Sequence, residues 1–205
     1  MTPMKITTSY QPSKNLEIKD GVYKTKIDGL YYLAHNFFPD DRGFFAEIGH
    51  TYKIEDIIGT PFKIAQINHS RSHDNVIRGM HAEGWNKLIN VTNGLSFNAL
   101  ADVRSDSKTF AQVETFLLGV GKQVLPGSLF ITQGIANSVC TIKGPVDFVY
   151  CVDKLYKDRD QADDQAISIF DKDLNINWPI PKSKIILSDR DKQAVTLREK
   201  FPQKF

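Results

Sequence analysis

The sequence predicts an all-β domain, a sandwich or closed barrel, with a few short helices and an N-terminal arm. Three observations carry this. Short runs rich in Val, Ile, Phe, Tyr and Thr recur at regular spacing along the 205 residues. Gly, Asn, Asp and Pro punctuate them. Helical periodicity is scarce, and no internal repeat or low-complexity linker interrupts the pattern.

In chain order, residues 1–29 read as an arm with one or two edge strands, 30–155 as the barrel, and 156–205 as a segment packing on it, all within one domain. The run 30–37 (LYYLAHNF) follows Gly29 and is predicted as a strand, and 44–48 (FFAEI) follows Gly43. A short helix is expected over 52–58, where apolar residues fall on one face before Gly59. Further strands are predicted at 63–70, 76–81, 87–92 and 95–102, the last two joined by Asn93-Gly94, a strong hairpin signal. Strands at 112–118 and 128–132 flank the turn at Pro126-Gly127, and 138–142 and 146–152 complete the set. A second helix is expected over 192–201 within a tail of loops and short segments.

The formal net charge is +2 and the basic residues form no stripe, which argues against a nucleic-acid partner. Cys140 and Cys151 fall inside predicted strands and read as small core hydrophobes, not as a disulfide or metal pair. No apolar h-region or bilayer-length stretch is visible, so a cytoplasmic protein without membrane contact is expected.

His81 ends a predicted strand, and Lys87 lies beyond a short loop holding Glu83 and Trp85. Such a pair can supply a general base and a cation for a developing oxyanion, although a lone strand-end histidine is more often a structural or surface residue. A metal reading would use His81 and Glu83 on one strand face, with His69 and His73 in reserve, but the ligand set is thin. No phosphate-binding glycine loop, dinucleotide fingerprint or nucleophile elbow is present. A phosphorylated substrate would therefore rest on arginines: Arg42, Arg71 and Arg78 are the candidates.

Taken together and in order, these motifs resemble the dTDP-4-dehydrorhamnose 3,5-epimerase family. Residues 41–47 (DRGFFAE) look like its D-x-R-G-F-F-x-E, 66–70 (QINHS) like Q-x-N-H-S, and 77–81 (IRGMH) like L-R-G-L-H. Lys87-Leu88-Ile89 stands for K-L-V, Asp102-Val103-Arg104 for D-x-R and Thr109-Phe110 for the T-F-G turn. Phe148-Val149-Tyr150 resembles F-L-Y, 175–179 (NINWP) the I-x-W-P region, and 187–191 (LSDRD) L-S-x-K-D.

The resemblance implies a cupin-type jelly-roll β-barrel, a homodimer pairing through edge strands, and a dTDP-linked 4-keto-6-deoxy sugar as substrate, with no cofactor and no metal. It assigns His81 as the base that takes a proton next to the C4 ketone, and Asp191 as the carboxylate that orients it. Lys87 would stabilise the enolate oxygen, and Tyr150 would return a proton from the opposite face. Arg42, Glu47, Gln66, Asn68, Arg78, Asn137 and Tyr156 would contact nucleotide, diphosphate or sugar. Locally, Tyr150 also reads as a core aromatic and Asp191 as a helix cap or solvated charge.

Three departures from the family pattern bear on specificity. Asn137 replaces the histidine of G-F-A-H-G-F, Asn98 replaces the aspartate of F-D-V, and the loop between His81 and Lys87 is short, as in a branch reading H-A-E-x-W-x-K. The expected activity is epimerisation at C3, C5 or both, in dTDP-rhamnose or related deoxysugar biosynthesis. Alternatives are the same chemistry on another nucleotide-linked keto sugar, a metal-dependent cupin, or a sugar-binding cupin without catalysis.

Overall fold

A computed structural model describes residues 9–121, 124–160 and 164–205. The first eight residues of the predicted arm, and 161–163 within its tail, lie outside the described residues. Twelve strands, three short α-helices and four single-turn 3-10 helices are present among the described residues. The strands β1 (Glu17–Lys19), β2 (Val22–Lys24) and β3 (Leu30–Ala34) are followed by the hairpin β4 (Asn36–Asp40) and β5 (Gly43–Glu47). Next come α1 (Thr51–Ile58), β6 (Gln66–Ser72), β7 (Ile77–Ala82), β8 (Lys87–Asp102), β9 (Val113–Gly119), β10 (Gly127–Ile131) and β11 (Ile135–Val152). The chain ends with β12 (Gln165–Ala166), α2 (Asp189–Lys192) and α3 (Leu197–Lys200).

Two long strands organise the barrel. β8 and β11 run antiparallel from Lys87 opposite Val152 to Asp102 opposite Ile135. The first half of β8 and the last half of β11 belong to one sheet, with β10, β3, β2 and β1 on one side and β6 on the other. Their remaining halves belong to the facing sheet, with β9 on one side and β7 then β12 on the other.

The predicted hairpin at Asn93-Gly94 is therefore corrected: 87–92 and 95–102 are one strand. Likewise 138–142 and 146–152 are one strand. Asn93 and Gly94 lie where β8 bends from one sheet into the other, opposite the register shifts around Lys143 to Asp147 in β11. Gly94 has φ of 79°, and a Cβ there would meet the Pro145 carbonyl at 2.5 Å, so the bend needs glycine. Asn93-Gly94 carries turn chemistry, and the tertiary context uses it as a corner.

Three apolar layers hold the sheets. Between them lie Ile89, Leu100, Phe116, Leu129, Val139 and Phe148. The outer face of one sheet is covered by α1 through Ile54, packed with Phe62 and Phe130. The outer face of the other is covered by the C-terminal segment, where Ile167, Leu174, Leu197 and Phe201 meet Phe97 and Ala99. The inner strands are thus buried on both faces, and β8 is buried throughout from Ser96 to Asp102.

The predicted helix at 52–58 is α1, closed by Gly59 in the left-handed conformation, whose N–H bonds the Glu55 carbonyl. The helix expected over 192–201 is instead α2 and α3, because Thr196 starts a new helix with a capping box to Glu199. The predicted strand 30–37 breaks at His35. There Nε2 lies 2.6 Å from Ser128 Oγ, which also reaches Asn90 Oδ1 and, at 2.7 Å, the Ile48 carbonyl. Burial pushes this imidazole down to about 4, so it is neutral near pH 7. Cys140 and Cys151 are free thiols, and burial raises both. No helix among the described residues is long and apolar enough to cross a membrane.

Candidate active site

A cavity of about 460 Å³ lies against β6, β7, β8, β11 and α2. It is lined by Arg78 and His81 from β7, Glu83 from the following loop, Lys87 from β8, Asn137 and Tyr150 from β11, and Asp191 from α2. Ser70, Phe148 and the segment Ile186, Leu187, Ser188 complete the wall.

Simple alternation would send Arg78 and His81 to opposite faces of β7. They share the cavity because β7 carries a bulge: Arg78 pairs with Val139 but His81 with Asn137, so three steps on β7 match two on β11. Gly79 makes this possible, since a Cβ there would meet the Asn137 carbonyl at 2.6 Å and the Ser138 Cα at 2.7 Å. The R-G-M-H run thus sets two pocket side chains on one face while Met80 and Ala82 stay in the core.

His81 Nε2 lies 2.6 Å from Asp191 Oδ1, and the carboxylate is 4% exposed. Asp191 is the third residue of α2, with its N–H donated to the Ser188 hydroxyl, so the cap is Ser188 and Asp191 faces inward. Burial pushes the Asp191 carboxyl up, but the His81 contact together with Ser188 and the Gly79 backbone outweighs it and holds the group below the ordinary carboxylate range. With Nε2 donating to Asp191, Nδ1 is the ring nitrogen free to accept a proton.

Lys87 is equally buried. Its Nζ donates to Glu83 Oε2 and Asn137 Oδ1, both at 2.8 Å, and lies 5.2 Å from the centre of the Tyr150 ring. Burial, the charge of Glu83 and the neighbouring Tyr156 raise the Tyr150 phenol against a smaller opposing effect of Arg78, so Tyr150 holds its proton near neutral pH. Arg78 Nε donates to the Ser72 hydroxyl at 2.8 Å. His81 and Tyr150 reach the cavity from opposite sheets, because β7 belongs to one and the last half of β11 to the other.

The remaining predicted residues divide into two groups. Gln66, Asn68 and Tyr156 form a linked set beside the cavity. Gln66 Nε2 donates to Asn68 Oδ1 at 2.6 Å, the Tyr156 N–H donates to Gln66 Oε1 at 2.9 Å, and Asn68 pairs with Tyr150 across the strands. Arg42 and Glu47 are not brought to the cavity of their own chain. Arg42 pairs with Asp40 on the β4–β5 hairpin, and Glu47 with Asn36 and His50. Asn98 is buried in β8, donates to the Ser96 hydroxyl, and does not line the cavity.

Of the residues weighed for a metal, His81 and Glu83 are held by Asp191 and Lys87, and His69 contacts Asp147 with Arg71. Sequence reasoning left Ser70 and the 186–188 segment out of the site. The alternation of Gln66, Asn68 and Ser70 on one face of β6 was the available signal for the first.

A family model described as dTDP-4-dehydrorhamnose 3,5-epimerase matches residues 24–199. The chain belongs to this epimerase family. The dTDP-4-dehydrorhamnose 3,5-epimerase of Escherichia coli (strain K12) is 32% identical over 182 residues, 87% of this chain and 95% of that protein. The dTDP-4-dehydrorhamnose 3-epimerase of Streptomyces niveus is 29% identical over 178 residues, 84% of this chain and 82% of that protein. Among solved structures, a dTDP-6-deoxy-D-glucose-3,5-epimerase of Legionella pneumophila Philadelphia 1, in complex with dTDP-4-keto-L-rhamnose, matches with a TM-score of 0.76. It is 28% identical and covers 86% of this chain and 92% of that one. The epimerase family thus places the chain among the isomerases, and its fold is the cupin-type jelly roll expected from the sequence.

Proposed function

We propose that the protein epimerises a dTDP-linked 4-keto-6-deoxyhexose at C3, C5 or both, in dTDP-rhamnose or related deoxysugar biosynthesis. One observation carries the reading: an Asp191-oriented His81, a buried Lys87 and a protonated Tyr150 converge on one cavity, with His81 and Tyr150 on facing sheets. The ketone acidifies the neighbouring C–H bonds, so the chemistry requires a base, a partner for the enolate oxygen and an acid on the other face. His81 Nδ1 removes the proton, a role worth ~10²–10⁴-fold. The Lys87 ammonium meets the enolate oxygen, worth roughly 3–4 kcal/mol in comparable sites. Tyr150 reprotonates the carbon from the opposite side, which inverts it. No group in this scheme is a metal or redox cofactor.

In this reading Arg78 and Asn137, which line the cavity, contact nucleotide, diphosphate or sugar together with Gln66, Asn68 and Tyr156 beside it. Arg42 and Glu47 reach the site from a second copy. Their hairpin stands apart from the main sheet and exposes Phe37, Phe38, Phe44 and Phe45, while the Arg42 side chain is 91% exposed. We therefore expect a homodimer that exchanges this hairpin, all within a single-domain chain of arm, barrel and C-terminal cover. Light scattering should give twice the chain mass, and a monomer at micromolar concentration would refute the exchange. Two free cysteines fit a reducing compartment, the cytoplasm.

The deciding experiment is incubation with dTDP-4-keto-6-deoxyglucose in heavy water. Mass spectrometry should find solvent deuterium at C3 and C5, or at one of them if the enzyme inverts a single centre. Exchange absent here but present with another nucleotide-linked keto sugar would shift the substrate. That second reading is favoured by Asn137 and the short 83–86 loop, both of which border the cavity.

A further inference from the structure

We propose that Glu83 is a positioning residue for this reaction: its carboxylate is the counter-charge that fixes the buried Lys87 ammonium with one N–H directed at the substrate oxygen. The inference rests on the epimerase reading for its chemistry but on geometry for its placement. An ammonium has three N–H donors and no acceptor. Glu83 Oε2 and Asn137 Oδ1 take two of them, which leaves one for a ligand in the cavity.

The Lys87–Glu83 contact differs from an ordinary surface ion pair in two respects. Both side chains are largely buried, at 6% and 16% exposed, so solvent does little of the charge compensation. Glu83 is also held independently of Lys87, because its loop is anchored on two sides. Its carbonyl accepts from the Gly134 N–H, and the Gln133 N–H donates to Asn86 Oδ1. On the other side Asn86 donates twice to the Asp153 carboxylate, and Lys154 Nζ donates to the Gly84 carbonyl at 2.6 Å. Trp85, 6% exposed, packs toward Tyr156 and closes the loop over the barrel. The short loop therefore delivers a carboxylate to a fixed point beside Lys87.

Glu83 lines both the cavity and a second groove of about 630 Å³, which Gly84 and Asn86 of the same loop also line, whereas Lys87 lines the cavity and not that groove. Asn137, where the family pattern has histidine, offers Lys87 an acceptor without charge, which leaves Glu83 as its anionic partner.

Removing the counter-charge should release the ammonium from its fixed direction. In Glu83→Gln, kcat should fall ~10–100-fold with KM changed less than about threefold. The other ionisable groups around the pair are Tyr150 on β11, Arg78 and His81 on β7, and Asp191 and Arg190 on α2. Tyr150 also feels Glu83, so the ¹H–¹⁵Nζ signal of Lys87, compared at one pH, assigns the effect to Lys87: a signal sharpened by the two fixed acceptors in wild type should broaden through exchange with water in Glu83→Gln. Glu83→Asp keeps the charge and shortens the reach. It should retain the sharp signal while lowering kcat, and it serves also if the Gln variant fails to fold. Identical Lys87 ¹⁵Nζ signals in wild type and Glu83→Gln, or an Asp variant with unchanged kcat, would overturn the proposal. If the wild-type protein exchanges no deuterium with any nucleotide-linked keto sugar, the epimerase reading fails. The ¹⁵Nζ comparison still decides whether Glu83 holds Lys87.

Discussion

Replacing His81 with Ala is expected to lower kcat/KM by ~10²–10⁴-fold while leaving the barrel folded. The imidazole is the group in the cavity whose tautomer is fixed by a buried carboxylate, and its removal leaves no base against the sugar carbon. Lys87 is bonded to two oxygens, and Tyr150 holds its proton. The stability cost comes from the partner left behind. Asp191 is 4% exposed and would lose its 2.6 Å contact, a loss of about 1–3 kcal/mol. For a chain of this size that corresponds to a fall in Tm of roughly 2–12 °C, at about 2–4 °C per kcal/mol. Adding Asp191→Asn removes the stranded charge and should recover part of the Tm without recovering activity. A His81→Ala protein with kcat/KM within threefold of wild type would sink the assignment of the base.

Much of this candidate site is legible in the sequence through the family motifs, whose order along the chain, more than any local pattern, singles the residues out. Arg78 and His81 share one run, Lys87 follows within one loop, and Tyr150 lies in one strand. The all-β class was equally visible in strand-length apolar runs. What could not be read depends on pairing between distant segments. Asn93-Gly94 carries the residues of a tight turn, yet β11 stays paired to β8 on both sides of it, and the strand continues through a corner. The bulge that puts Arg78 and His81 on one face exists only relative to β11. Asp191 gave no local sign of its role, because a Ser-Asp-Arg-Asp run reads as a cap or solvated charge. It enters the cavity only because the C-terminal segment buries Ile167, Leu174 and Leu197 against the sheet. Glu83 was noticed as a possible ligand beside His81, but its partner is four residues ahead, and only the anchored loop turns it there. Arg42 and Glu47 lie in a motif that is plain in sequence and does not line the cavity in the chain that carries it, a placement no single-chain pattern encodes.

Tyr150→Phe should separate the two halves of the reaction. Deuterium uptake next to the ketone is expected to persist within about tenfold of wild type, because His81, Asp191 and Lys87 still form and stabilise the enolate. Net inversion should fall at least ~10²-fold, because the acid on the opposite sheet is gone and the carbon is reprotonated mainly from the face that lost its proton. Phenylalanine keeps the ring that Lys87 lies against at 5.2 Å, so the ammonium retains its aromatic neighbour as well as Glu83 and Asn137. Loss of the hydroxyl is then the main change in the site. Isotope location by mass spectrometry and product stereochemistry by NMR, taken from the same reaction, measure both rates. Equal losses of exchange and inversion would mean that Tyr150 binds or orients the substrate. Unchanged inversion would place the second proton donor elsewhere, with Tyr156 the next phenol to test. A gap of at least about tenfold between the two rates would mark the facing sheets as the physical basis of inversion: one wall of the barrel takes the proton and the other returns it.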